Sequence, residues 1–590
     1  MSESSLAAPR SRVRAPELVA SGTGAGWLNT PAPVTLPGQH GRFVLLDFWT
    51  FCCANCLHVL SELRPLEAEF AEILTVVGIH SPKFSHEADP AAVGAAIERY
   101  EIEHPVLNDP ALRLWQQYTV KAWPTLVLID PEGYVVATAA GEGQVSALAA
   151  TIRALAAEHE AKGTLVRGPA PSLTRGPDEH ELRYPAKGIV LQSGNLLIAD
   201  AGHHTLAELD ASTFDVVRRI GSGERDGPFA EPNGLALLPD SRVAVADTAN
   251  HVVRLVDLEA GQTVATLDLP ELLRGQSTVT GPIPDVLSPW DVVWWPAIDR
   301  LVVAAAGVHL LLAVDLHAGT AEVLAGTTVE GLKDGPALEG WLAQPSGLAV
   351  QGETLWFVDS ETSALRYLDA TGELHTAVGE GLFDFGHVDG PASSARLQHP
   401  LGLAVLPDRS IAIADTYNGA VRRYDPITGE VTTLAAGLAE PSGLVVRGAE
   451  LLVVESAAHR LVPLDATPES VGGQPLRTQR PITAVAPGPV RLTIAFRPAP
   501  GRKLDDRYGP STQLTVAASP LVLDGAGEST DLVRDLVLTE GTGVLSVTAQ
   551  AASCDSNAEH PACYLARQDW GVPVRVEPGA PSELTLTLLG

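Results

Sequence analysis

Two cysteines three residues apart, Cys53 and Cys56, are the residues whose type and spacing point most directly to chemistry. They lie in DFWTFCCANCLHVL, residues 47–60, after an apolar run that reads as a buried strand (FVLLDFW, 43–49) and at the start of a helical stretch. At that spacing both sulfurs fall on one helical face and can bond to each other. Cys53 would stand at the helix N-terminus, where the positive end of the dipole favours thiolate and makes a nucleophile. Cys56, one turn inward, would resolve the mixed disulfide formed at Cys53. A lone CxxC could also be half of a zinc site. No second CxxC or paired histidine cluster lies nearby, so redox chemistry is favoured and neither metal nor cofactor is expected. Cys52 leaves two readings open, inert packing or a competing thiol. His58 reads as an ordinary helix-surface histidine, with tuning of the thiols as the other reading.

The elements that must position this pair alternate strand and helix. ILTVVGIHS (73–81), LVLID (126–130) and GYVVATAAG (133–141) read as strands, and 91–102 and 144–161 as helices, with Val145, Leu148, Ile152 and Leu155 on one face of the last. This is an α/β unit with some parallel pairing. Residues 15–160 resemble a thioredoxin-fold domain of the TlpA/ResA-type redoxins. The likeness rests on Asp47-Phe48-Trp49, Cys53-Ala54-Asn55-Cys56, Trp123-Pro124-Thr125 before LVLID, and APEL (15–18) with WLN (27–29). The resemblance implies a cis Trp123–Pro124 bond beside the dithiol, where substrate backbone pairs. It implies that Asp47 is a buried acid assisting proton transfer to the resolving thiol, and that Trp49 and Trp123 support the site. Such relatives are usually exported or membrane-tethered, whereas residues 1–25 contain no apolar core of a secretory signal.

The middle of the chain repeats. Six segments begin at Pro185, Pro232, Pro289, Pro345, Pro400 and Pro441, four of them in the tight form Pro-x-Gly-Leu-Ala/Val. Fourteen or fifteen residues after each proline comes Asp200, Asp247, Ala304, Asp359, Asp415 or Glu455, and ten or eleven further on Asp210, Asp257, Asp315, Asp369, Asp425 or Asp465. Each unit reads as a small antiparallel sheet that cannot bury both faces alone, and radial stacking into a six-bladed β-propeller solves that. One blade is expected to draw strands from both ends of the repeat region. The units resemble NHL repeats, through Asn250-His251-Val252, Asn418-Gly419-Ala420 and the Asp-Gly-Pro connectors at 226, 334 and 389. The third repeat departs, with Asp291 for the glycine and Ala304 for the acid. The recurring acids could ring a channel Ca²⁺, but a fixed place in five of six units argues for a structural task in each blade turn.

After residue 475 the repeat stops, and strand-like runs suggest a small β-sandwich. It holds Cys554 and Cys563 around a polar loop; free thiols, a disulfide, or a metal site with His560 all remain open.

Forty Lys and Arg against seventy-one Asp and Glu give a net charge of −31, which argues against nucleic acid or an anionic membrane as partner. No stretch of about 18 apolar residues reads as a membrane span. A cytoplasmic setting is expected. The expected organisation is a flexible N-terminus (1–14), the thioredoxin-like domain (15–160), a linker (161–178), the propeller (179–475) and the sandwich (476–590). The order resembles NHL-repeat-containing proteins with an N-terminal thioredoxin domain. The reading that follows is a cytoplasmic thiol–disulfide oxidoreductase, with a protein substrate or partner held in a cleft between dithiol and propeller. The alternatives are a non-catalytic interaction scaffold and a metal-dependent propeller hydrolase or lyase.

Overall fold

Residues 13–171, 180–382, 384–464, 473–477, 481–498, 501–504, 510–519, 523–524, 527–555 and 563–589 are described by the computed structural model. The expected N-terminal segment up to residue 12, residues 172–178 of the linker, Asp465 and His560 lie outside them.

The N-terminal unit is one seven-stranded sheet. Its strands are β1 (Val13–Arg14), β2 (Gly26–Leu28), β3 (Phe43–Trp49), β4 (Leu74–His80), β5 (Val106–Asn108), β6 (Thr125–Ile129) and β7 (Tyr134–Ala140), ordered β1-β7-β6-β3-β4-β5-β2. β3, β4 and β5 pair in parallel, and β6 lies antiparallel to β3. β3, β4 and β6 are buried along their whole length, as continuous apolar runs require when both faces are covered. The covering helices are α1 (Ala54–Glu69), α2 (Pro90–Arg99), the short α3 (Arg113–Gln117) and α4 (Val145–Lys162). α4 packs Val145, Leu148, Ala149 and Ile152 onto the sheet and ends at Gly163 in the left-handed conformation.

Six small antiparallel sheets follow, one per repeat. The first strand of each packs against the first strand of the next, and the first strand of the sixth sheet packs against that of the first. The repeat glycine permits this approach: a Cβ on Gly234 would lie 2.4 Å from Asp291 Cα, and one on Gly402 2.5 Å from Ser442 O. Neighbouring sheets are also tied by polar bonds. The residue four after the acid, or after Ala305 in the third repeat, is left-handed, and in every repeat but the fifth, where it is Gly419, its side chain accepts the amide just before the next repeat's proline. His204 does so for Glu231, His251 for Ser288, His309 for Gln344, Ser363 for His399 and His459 for Tyr184, at 3.1–3.2 Å. The last of these joins the sixth repeat to the first.

The acids serve their own sheets. Asp200, Asp247, Asp359, Asp415 and Glu455 each accept a backbone amide upstream of their own repeat's first strand, at 2.6–2.8 Å. Each also binds an arginine: Arg219, Arg254, Arg366, Arg422 and Arg460 respectively. In the third repeat the residue paired with Pro289 is Ala305, not Ala304, because that hairpin is one residue longer than the one between Pro232 and Asp247. Among the described residues no sheet mixes strands from both ends of the region. The first takes four consecutive strands between Pro185 and Ile220, and the sixth has three, ending at Pro463.

The last stretch forms two sheets around one apolar core that includes Val490, Leu492, Val516, Val547, Trp570 and Leu586. The backbone of Cys554 pairs directly with that of Cys563 across antiparallel strands. Ala122 of the N-terminal unit is buried in the same core. No helix among the described residues is long and apolar enough to cross a membrane.

Candidate redox site

The chain leaves the buried end of β3, turns through Thr50-Phe51-Cys52, and enters α1 with Cys53 as N-cap at φ −91°, ψ 110°. The Cys53 carbonyl accepts the first helical amides, from Cys56 at 2.9 Å and Leu57 at 3.2 Å. Cys52, Cys53 and Cys56 are free thiols. Burial, and then the neighbouring Cys53 thiol, push the Cys56 thiol well above its usual range. Burial, then Glu361 and Glu87, do the same to Cys52. The site therefore sets an N-terminal thiol against a neighbour held protonated, as attack and resolution require.

Asp47 lies on β3, fully buried, between Gly78 of β4 and Leu126 of β6. Neither carboxylate oxygen has a hydrogen-bond partner among the described residues. Burial pushes its carboxyl up to about 7, with His104 pulling down and Glu67 adding to the rise. A carboxyl in that range can take and return a proton near neutral pH. Trp123–Pro124 is a cis peptide. Trp123 packs on Trp115 with ring centres 4.2 Å apart, and the Lys83 ammonium sits 5.3 Å over its ring. Trp49 makes an edge contact with His80.

Glu87 organises the loop around the thiols. It is fully buried and accepts from Thr50 Oγ1 (2.6 Å), Cys52 N (3.0 Å), Lys83 N (2.9 Å) and Phe84 N (3.0 Å). Burial opposes its charge, but His80 and these bonds outweigh that and hold its carboxyl below the ordinary range.

The repeat sheets cover the thiols. Gln344 Oε1 accepts the Ala54 amide at 2.6 Å, and its Nε2 donates to Cys52 O and to Glu361, both at 2.9 Å. Glu361 pairs with Lys83 at 2.9 Å, both buried. Gln398 accepts from Ser85, Glu440 binds His86 and Arg99, and Phe51 and Phe84 pack on Tyr417. Cys52 and Cys53 are each 5% exposed and Cys56 is 0% exposed. The dithiol therefore lies at the junction between the N-terminal unit and the repeats, with its thiols covered. The junction leaves a cavity of about 70 Å³ beside Cys52 and one of about 310 Å³ along α1.

His58 departs from the surface reading. It is buried, with Nδ1 2.6 Å from Glu142 and Nε2 2.5 Å from Ser288 Oγ. Lys83, Glu87, Gln344 and Glu361 were not legible as site residues. One signal was present: the residue before each repeat proline varies (Tyr184, Glu231, Ser288, Gln344, His399, Glu440) beside an otherwise repeated motif. Five of these, Tyr184, Ser288, Gln344, His399 and Glu440, touch the N-terminal unit. Among the described residues one set of metal-ligand types comes together, Asp130, Glu132 and His159. Asp130 already accepts the amides of Glu132 and Tyr134, and His159 Nδ1 bonds Thr164.

A family profile described as thioredoxin-like matches residues 41–135. NHL repeat-containing protein 2 of Bos taurus is 33% identical over 599 residues, covering 90% of this chain and 79% of the bovine protein. The chain belongs to that family. Protein SUPPRESSOR OF QUENCHING 1, chloroplastic, of Arabidopsis thaliana is 33% identical over 74% of this chain, which spans 45% of the plant protein. Over 116 residues, the thiol-disulfide oxidoreductase YkuV of Bacillus subtilis is 22% identical, covering 20% of this chain and 78% of its own length. A thioredoxin-like domain followed by a β-rich body is therefore the shared architecture.

Proposed function

We propose that the protein is a thiol–disulfide oxidoreductase in which Cys53 attacks a disulfide, Cys56 resolves the mixed disulfide, and Asp47 relays the proton of Cys56. The observation that carries this is the pair of free, buried thiols Cys53 and Cys56 at the start of α1, in the same domain as a buried carboxyl poised near neutrality. The repeats are read as a six-bladed propeller closed between its first and sixth blades, and the C-terminal sheets as a β-sandwich braced by a Cys554–Cys563 disulfide. The propeller selects a protein substrate by deciding when the dithiol is uncovered, in a cytoplasmic setting. Burial of all three thiols beneath the ring favours a second reading, an interaction scaffold with a latent dithiol. The deciding experiment is reduction of a protein disulfide with a small-thiol electron source, comparing the natural chain with Cys53→Ser and Cys56→Ser. The reading requires turnover by the natural chain, loss in both variants, and a trapped mixed disulfide in Cys56→Ser. Turnover unaffected by Cys53→Ser overturns it.

A further inference from the structure

The domain junction also holds a serine, a histidine and a carboxylate in line. Ser288 Oγ lies 2.5 Å from His58 Nε2, and His58 Nδ1 lies 2.6 Å from Glu142 Oε2. They come from three places: His58 from α1, Glu142 from the loop after β7, and Ser288 from the residue before the third repeat's proline. A carboxylate on Nδ1 keeps the proton there, which leaves Nε2 to accept from the serine hydroxyl. His251 stands edge-to-face on His58, ring centres 5.3 Å apart at 86°. Its Nδ1 accepts the Ser288 amide at 3.2 Å, so the neutral ring carries its proton on Nε2. Burial first, then His58, push it down to about 3, so at neutral pH it is an uncharged donor. Ser288, His58 and His251 line the cavity of about 310 Å³ along α1, with Leu57, Leu60 and Trp290 as apolar wall. That volume is at the small end of ligand sites.

We propose that this cavity is an acyl-transfer site hydrolysing carboxylic esters with a short apolar acyl group, with Ser288 as nucleophile, His58 as general base, Glu142 as its positioning residue and His251 as donor to the carbonyl oxygen. Ser288 Oγ attacks the ester carbon while its proton passes to His58 Nε2. The tetrahedral centre collapses, the C–O bond to the alcohol breaks, and His58 returns the proton to the departing oxygen. Water then attacks the acyl-serine, giving its proton to His58. The carboxylic acid leaves and Ser288 regains its hydrogen, with no net redox change. Of the five pre-proline residues that reach the thioredoxin-like domain, Tyr184 and Ser288 bear a hydroxyl, and Ser288 is the one that sets it against a histidine nitrogen. A hydrogen bond serving only as a tether needs one ring nitrogen, whereas His58 is engaged at both. This site is independent of the dithiol reading.

The test is direct. The natural full chain is treated with a fluorophosphonate probe, the modified peptide is mapped, and hydrolysis of p-nitrophenyl butyrate is followed. Expected are one phosphonyl group on Ser288 and ester hydrolysis lowered at least about 100-fold by Ser288→Ala and by His58→Gln. For Glu142→Gln, a lower kcat with a displaced pH profile and little change in KM is expected. Absence of label from Ser288 in the natural chain overturns the proposal even if a variant fails to fold. So does ester cleavage that tracks label on Cys53, or a Ser288→Ala rate equal to that of the natural chain.

Discussion

Gln344, in the fourth repeat, accepts the amide of Ala54, the residue between the N-cap thiol and the rest of helix α1, at 2.6 Å. The opposite end of the same amide group holds the Cys52 carbonyl at 2.9 Å. A side chain 290 positions away thus occupies the first free amide of the helix on which the dithiol sits, where a helix N-terminus otherwise looks for an acceptor.

The first prediction follows from that latch. Gln344→Ala removes two hydrogen bonds across the junction, each worth on the order of 1 kcal/mol net. The uncovered population, and with it the alkylation rate of Cys53 at pH 7, should rise by about thirtyfold. The rate is read by mass spectrometry of the 47–60 peptide under limiting reagent. An unchanged rate would show that Gln344 does not gate access.

The order of thiol reaction is the second. Burial pushes both Cys52 and Cys56 up, and the neighbouring Cys53 adds to the rise at Cys56. Brief alkylation at pH 7 should therefore modify Cys53 first, then Cys52, with Cys56 last. Early labelling of Cys52 would make it the attacking thiol and the proposed roles would fail.

The third concerns Asp47. Its folded carboxyl is raised to about 7 from 3.8, so the folded chain binds a proton that the unfolded chain has lost between those values. Stability contributed by the protonated form is present below about pH 4 and is lost as pH rises toward 7. A rise of that size corresponds to roughly 4 kcal/mol, an upper bound for a site that can relax on ionising. Asp47→Asn should flatten the stability profile between about pH 4 and 7 and leave the chain more stable than the natural one at pH 8. In turnover the same variant should slow release of the mixed disulfide rather than its formation. A pH–stability profile identical in both proteins would mean that Asp47 does not titrate in that window.

The dithiol was legible because its signal is local. Strand, CxxC and helix follow one another within residues 43–69, and each element forms where its apolar pattern places it. The repeats were legible because Pro-x-Gly-Leu recurs, and the acids answered to a structural task because each has an amide and an arginine within its own repeat. The cover over the thiols was not legible. Gln344, Glu361 and Ser288 act across 278 to 290 positions in contacts such as Lys83–Glu361 and Ala54–Gln344, or 230 in His58–Ser288. No periodicity marks such pairs. His58 looked like a surface residue because helical spacing reports which face is apolar, not that a second domain buries a polar one. The third repeat's acid position slipped by one residue because counting from the proline cannot see a hairpin one residue longer.

The last prediction concerns the two repeats that lack the glycine two residues after the proline. The first carries Lys187 there and the third carries Asp291. The two meet: Lys187 Nζ is 2.7 Å from Asp291 Oδ2, each side chain 9% exposed, and Asp291 also accepts the Leu348 amide at 2.8 Å. Where four repeats use glycine to let inner strands approach, these two fill the middle with an ion pair. Burial pushes the Asp291 carboxyl up and the Lys187 ammonium down, each held back by the other. Removing one partner leaves the other charge buried and alone, which destabilises by about 3–5 kcal/mol in comparable sites. Asp291→Gly and Lys187→Gly should each fall in that range by urea denaturation. The double variant, which restores the repeat motif at both places, should be more stable than either single one, because no uncompensated charge remains and only packing is lost. Additive losses in the double variant would show that the two residues act separately and that the pair does not hold the first and third repeats together.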